Sequence, residues 1–286
     1  MADRRRINGP VGTTTPPVFT RTPSRPKPKQ SDSIRKIFLK TGVTPSASGS
    51  AYLELESRPN HPVKSNLKLS CTVHGPRALP RSAPFSPHII LTTHVKYAPF
   101  ATRTRRGPLR DSSERDLGVH LETALRGAII ADRWPKSGVD IIITIIEGDQ
   151  DRHAPHNQDD ENWEMMNVLS GCITVASAAI ADAGIDCVDT VAGGVAALVS
   201  KKEGDVPSII VDPIVAEDHK ILAACCVAYL PSRDEVTNLW FKGQLPGGDF
   251  MVYNTMLERS MVASRSANRV IVQALSETAK KGQEAT

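Results

Sequence analysis

Aromatic side chains are scarce in this chain: Phe, Tyr and Trp make up 5% of its 286 residues. Val, Ile, Leu and Ala must therefore fill the core. No run of 18 or more apolar residues occurs, so no membrane span is expected. The opening MADRRRINGP has no apolar stretch behind its charges, so no secretory signal is expected. The five cysteines (Cys71, Cys172, Cys187, Cys225, Cys226) stand in apolar surroundings and none is in CxxC spacing. They read as buried thiols of a reducing compartment, not as disulfides or zinc ligands. His120, His153 and His156 form neither HExxH nor HxxxH, so no metal is expected, and no cofactor. Gly193-Gly194 is not followed by Lys-Ser/Thr and the GxGxxG pattern is absent, which excludes a phosphate loop there.

What is present is unevenly charged. The whole chain carries +4. Residues 1–33 hold seven basic side chains (Arg4, Arg5, Arg6, Arg21, Arg25, Lys27, Lys29) against Asp3 and Asp32, a balance of +5. The remainder therefore balances to −1. It is no uniformly basic nucleic-acid binder, and any such role rests on local patches. Residues 1–33 are rich in Pro, Thr, Ser and Arg and nearly free of aliphatic side chains. They read as a disordered basic tail, because they bury too little to offset the entropy of ordering.

Folded structure is expected from Ile34. Ile37, Leu39, Ala51, Leu53 and Leu55 alternate about a turn at 45–50, and Leu67, Leu69, Cys71 and Val73 alternate again up to Gly75-Pro76. With a strand at Ile89 to Tyr97, this predicts an antiparallel meander of three or four strands. Arg103, Arg105, Arg106 and Arg110 then fall within eight positions around Gly107-Pro108. Guanidinium groups in such a loop suit the phosphates of a flexible single strand; the plain alternative is a solvated basic loop.

Glu114 to Asp149 organises the chain. Leu117, Leu121, Leu125 and Ile129 recur at near-helical spacing, and Val119, Glu122, Thr123 and Arg126 share another face. Pro135 ends the helical stretch. Val139 to Ile146 is Ile-rich, the composition of a strand covered on both faces. Gly148 to Glu164 then reads as an exposed loop, with six acids from Asp149 onward. Met165 to Ala183 predicts a buried helix closed by Gly184. Strands are expected at 192–200, 208–213, 223–230 and 235–245. Asp212 ends the second of these, and Asp218 lies in the link to the third. Asp249 is placed to cap a last helix that frays from Ser276, with 281–286 as a loose end. Strands first and helices later make an α+β, or mixed α/β, fold with sheets packed on helices.

Several stretches in the same order resemble the RNase PH family of phosphorolytic exoribonucleases. They are LKTGVTPSASGSAYLE, LSCTVHGP, SERDLGVHLETALRGAI, VDIIITIIEGD, ADAGID followed by VDTVAGGVAAL, and VDPIVAED. The resemblance runs from Ile34 to the last helix and implies one RNase PH-like domain, 34–280, with the ribosomal protein S5 domain 2-like fold. It also implies attack of inorganic phosphate on the last phosphodiester of RNA. That chemistry needs cations on the phosphate and a carboxylate at the leaving group. In active members the strand matching VDIIITIIEGD leads into a Gly-Gly-Thr-Arg loop; here the acidic stretch stands instead. A second phosphate-binding arginine of the family falls on Ser113, with Arg115 two residues away. The family's paired acids fall on Asp212 and Asp218, with Glu217 beside the second and His219-Lys220 following.

The resemblance thus implies an inert ring subunit of the eukaryotic RNA exosome, with Asp212 and Asp218 vestigial and no catalytic residue. Expected partners are other RNase PH-like subunits in a six-member hetero-oligomeric ring, an S1/KH-type cap protein, and single-stranded RNA guided past Arg103, Arg105, Arg106 and Arg110. Nucleus, nucleolus and cytoplasm are the expected locations. The alternatives are an active phosphate-dependent 3′–5′ exoribonuclease and a free-standing RNA-binding protein.

Overall fold

The computed structural model describes residues 31–56, 66–102, 105–109, 111–149, 158–200, 207–213, 220–245 and 250–284, with only the backbone at 158–162 and 284. Three strands open the fold: β1 (Ile37–Thr41), β2 (Gly49–Leu55) and β3 (Lys68–Ala78). They form the expected antiparallel meander, with Leu39 opposite Leu53 and Ala51 opposite Cys71. Their alternation sends Leu39, Leu53, Leu69, Cys71 and Val73 into the core.

The fourth strand breaks the meander. β4 (Ile90–Tyr97) is followed by helix α1 (Ser112–Arg126) and then β5 (Ser137–Glu147). β5 inserts between β3 and β4, giving the order β1-β2-β3-β5-β4. It runs antiparallel to β3 and parallel to β4. A parallel return needs a crossover, and α1 supplies it. Helix α1 begins with a capping box between Asp111 and Glu114 and buries Leu117, Leu121 and Leu125, while Val119 is 64% exposed.

A second sheet contains β6 (Ala192–Ser200), β7 (Ser208–Val211), β8 (Lys220–Leu230) and β9 (Glu235–Gly243), in the antiparallel order β7-β6-β8-β9. Helix α2 (Gln158–Asp182) packs on β2 and β3 of the first sheet and on β6 and β8 of the second. It therefore lies between the sheets, and α3 (Phe250–Glu284) covers the other face of β6 and β8. The pair Gly193-Gly194 is a packing device. A Cβ at Gly193 would stand 2.5 Å from Ser170 Cα on α2, and one at Gly194 would stand 2.1 Å from the Ser260 carbonyl oxygen on α3. Only glycine lets backbones approach this closely from both sides.

Several expectations need correction. β5 is not covered on both faces: Val139, Ile141, Ile143 and Ile145 are buried, but Ile142 is 38% exposed, because the helices lie on one face of its sheet. Helix α2 starts at Gln158, inside the stretch expected to be loop, and α3 continues past Ser276 to Glu284. Ordered chain begins before Ile34: the Ser31 carbonyl accepts from Val211 N at 2.8 Å, and Asp32 pairs with Arg259 at 2.9 Å. The rest of the basic tail lies outside the described residues, as does the turn at Asp249. Gly184, with φ +69°, closes α2 as expected. The window Trp163–Asp182 has the length and apolarity of a membrane span, yet 89% of it is buried between the sheets.

Candidate functional site beyond the end of strand β5

Gly148 and Asp149 directly follow strand β5, and Asp149 is fully buried instead of lying in an exposed loop. A buried carboxylate requires a partner. That partner is Arg35, just before β1 and itself only 4% exposed. Its Nη1 and Nη2 donate to the two Asp149 oxygens at 2.8 and 3.0 Å, a bidentate pair. The same guanidinium turns to Asp212 at the end of β7. Nε donates to Oδ2 at 2.8 Å, Nη2 to Oδ1 at 2.7 Å, and the Arg35 backbone N–H to Oδ2 at 3.0 Å. Burial opposes the charged guanidinium, but Asp149 and Asp212 outweigh it and hold the Arg35 pKa above its ordinary value.

Helix α2 completes the cluster. Asn167 Nδ2 donates to Asp149 Oδ2 at 3.1 Å and to the Pro213 carbonyl at 2.8 Å. Asp212 sits in the left-handed region, φ +50°, which Asp tolerates better than most residues. Its backbone N–H donates to the Val195 carbonyl at 2.9 Å. The cluster thus joins four separate segments: the entry to β1, the end of β5, α2 and the end of β7. Beside it is a cavity of about 40 Å³ lined in part by Arg35, Asn167, Thr174, Gly194 and Asp212. That volume has room for ordered water.

Asp212, expected as a vestigial acid, is engaged on both oxygens by Arg35. Asp218, Arg103 and Arg110 lie outside the described residues. Arg105 is exposed. Arg106 is committed to the fold: Nη1 donates to Asp111 Oδ2 at 2.8 Å, and the guanidinium lies 5.0 Å from the Tyr97 ring centroid. At the start of α1, Ser113 Oγ is buried without a hydrogen-bond partner, and Arg115 is exposed. The helix N-terminus is already met by carboxylates: Asp111 caps it, and Glu114 accepts from Asp111 N and Tyr97 N. Among the described residues no three His, Cys, Asp or Glu cluster as a metal site.

Sequence reasoning missed Arg35 and misplaced Asp149. Arg35 had a signal, a lone guanidinium just before the alternation that begins at Ile37. Asp149 had none, because it opens a stretch of acids.

The thiols are unreactive by position. Four cysteines are buried and Cys187 is half-buried. Burial pushes the Cys187 and Cys225 thiols up to about 11.

Comparison with known proteins agrees with this architecture. Residues 33–186 match the 3′ exoribonuclease family (RNase PH), domain 1. The chain belongs to the RNase PH family. A protein of Chaetomium thermophilum named exosome complex component MTR3 is 69% identical over 97% of this chain and 99% of its own. The Schizosaccharomyces pombe exosome complex component mtr3 is 31% identical over 85% of each chain. A crystal structure of rice Rrp46 superposes with a TM-score of 0.64, covering 86% of this chain and 98% of that one at 14% identity, which supports the fold alone. The RNase PH assignment and the α+β fold read from the sequence are therefore both sound.

Proposed function

We propose that this chain is a non-catalytic ring subunit of the RNA exosome, of the Mtr type. The 69% identity to the Chaetomium thermophilum exosome component, across almost the whole of both chains, carries this reading. The chain stands in a six-member ring with other RNase PH-like subunits, supports an S1/KH-type cap protein, and helps guide single-stranded RNA to a separate nuclease for 3′–5′ processing. It works in nucleus, nucleolus and cytoplasm. Exposed Arg105 supports an RNA-facing loop; committed Arg106 supports it less.

The site geometry supports the absence of turnover. Phosphorolysis needs cations free to meet the phosphate. Ser113 offers a buried hydroxyl in place of an arginine, and the Arg35 donors are taken by Asp149 and Asp212. Loss of one such cation lowers rates by about 10²–10³. The test is release of nucleoside diphosphates from a 3′ RNA tail in the presence of inorganic phosphate. No release above buffer is expected. Phosphate-dependent release abolished by Asp218→Ala would establish the alternative, an active exoribonuclease.

A further inference from the structure

Asn167 is a polar residue in an apolar run: Met165, Met166, Val168 and Leu169 flank it on α2, and all four are buried. Burying an amide there costs free energy unless each of its polar atoms finds a partner. The amide has two donor hydrogens on nitrogen and an acceptor oxygen. Both neighbours of the nitrogen are acceptors, Asp149 Oδ2 at 3.1 Å and the Pro213 carbonyl at 2.8 Å. They fix which end is nitrogen, because a flipped amide would set its oxygen against two oxygens. Both donors are thereby used. Asn167 is 4% exposed, and its Oδ1 is buried and meets no donor among the described residues.

The same asparagine lines the cavity of about 40 Å³ beside the cluster. One water needs about 10–15 Å³ of such space and two to four polar partners. The wall supplies those partners on one side only. Asp212 and Arg35 line it from the cluster, and Ser170 lines it one turn along α2 from Asn167, on the same helix face. Leu53 and Ala267 make the wall apolar elsewhere.

Charge decides what fits there. A small cation would meet the guanidinium of Arg35, and an anion would meet the carboxylate of Asp212, both in the wall of the same cavity. A neutral dipole meets neither penalty. It can turn a hydrogen towards Asn167 Oδ1 and its second hydrogen towards another acceptor. Water is the neutral donor of that size.

We infer that this cavity is a binding site for one ordered water, which donates to Asn167 Oδ1 and bonds onward to Asp212 and Ser170. The water is a further member of the Arg35 cluster. It satisfies the amide through which α2 holds the ends of β5 and β7, and it stands whether or not the chain is a ring subunit. The first test is a crystal structure of the full chain at a resolution that shows ordered water. A peak about 2.7–3.2 Å from Asn167 Oδ1 is expected. No peak there overturns the inference. Rubidium taking the place of the peak after a soak, seen by its anomalous scattering, marks a cation site and overturns it too. The second test is oxygen-17 relaxation dispersion, which counts waters held longer than the protein tumbles. Ala267→Val fills the apolar wall and leaves every hydrogen bond of the cluster in place. It should lower the count by about one. Asn167→Leu should do the same, and Val272→Ala, at an exposed position on α3, should not. A count that neither Ala267→Val nor Asn167→Leu changes overturns the inference. The crystallographic test needs no variant, so it decides the matter even where a variant fails to fold.

Discussion

The two sheets bury different numbers of faces. The β7-β6-β8-β9 sheet is packed by α2 on one side and α3 on the other, and β6 and β8 are buried almost throughout. The β1-β2-β3-β5-β4 sheet has helices on one side only, so β5 alternates between buried Ile141, Ile143 and Ile145 and an exposed Ile142. Composition misleads here. The Ile-rich β5 looks doubly covered and is not, whereas β6, with its Gly and Ala, is. A strand approached by helices on both faces needs small side chains, because large ones would hold the helices away. High hydrophobicity in a strand is thus a poorer guide to double coverage than small size.

Five substitutions put this comparison at risk. The largest effect is expected at the cluster that ties the sheets together. Arg35→Ala leaves Asp149 and Asp212 without their cation and should destabilise the fold by roughly 3–5 kcal/mol, read by chemical denaturation. A loss below about 1 kcal/mol would mean that the tie is dispensable. Next come two isoleucines on opposite faces of one strand. Ile143→Ala should cost about 2–5 kcal/mol and Ile142→Ala roughly 1 or less, measured by the same unfolding midpoints. Equal losses would show that the outer face is covered after all. Third, Gly193→Ala forces a Cβ against α2 and should cost about 1–3 kcal/mol, although alanine is the better strand residue. A neutral result would place α2 farther from β6. The smallest effect belongs to the cap of α1: Asp111→Ala should cost about 1 kcal/mol and leave phosphate-dependent turnover absent as before.

Much of the fold was legible. The bounds of β6 were read to the residue, because turn residues flank a short apolar run. The α1 stripe of Leu117, Leu121 and Leu125 was plain from its spacing. The position of β5 was not legible, since local alternation does not say which neighbour a strand pairs with. The N-terminal turns of α2 were missed because their acids mask the helical pattern, although acids are favourable at a helix start. The candidate site was half legible: Asp212 was found by its resemblance to a family position, and Arg35 was not found at all. A guanidinium 114 positions from Asp149 and 177 from Asp212 leaves no periodic trace.

The sequence by itself determined the family, the alternating strands, the amphipathic α1 and the lack of arginine at Ser113. These follow from local spacing and residue identity, which physics reads within a few turns of chain. Tertiary structure decided which sheet is doubly covered, where β5 inserts, and that Asp149 and Asp212 share one buried arginine. Those outcomes depend on which apolar faces and which charges meet across long stretches of chain. A buried charge finds its partner through the fold, not through its neighbours in sequence.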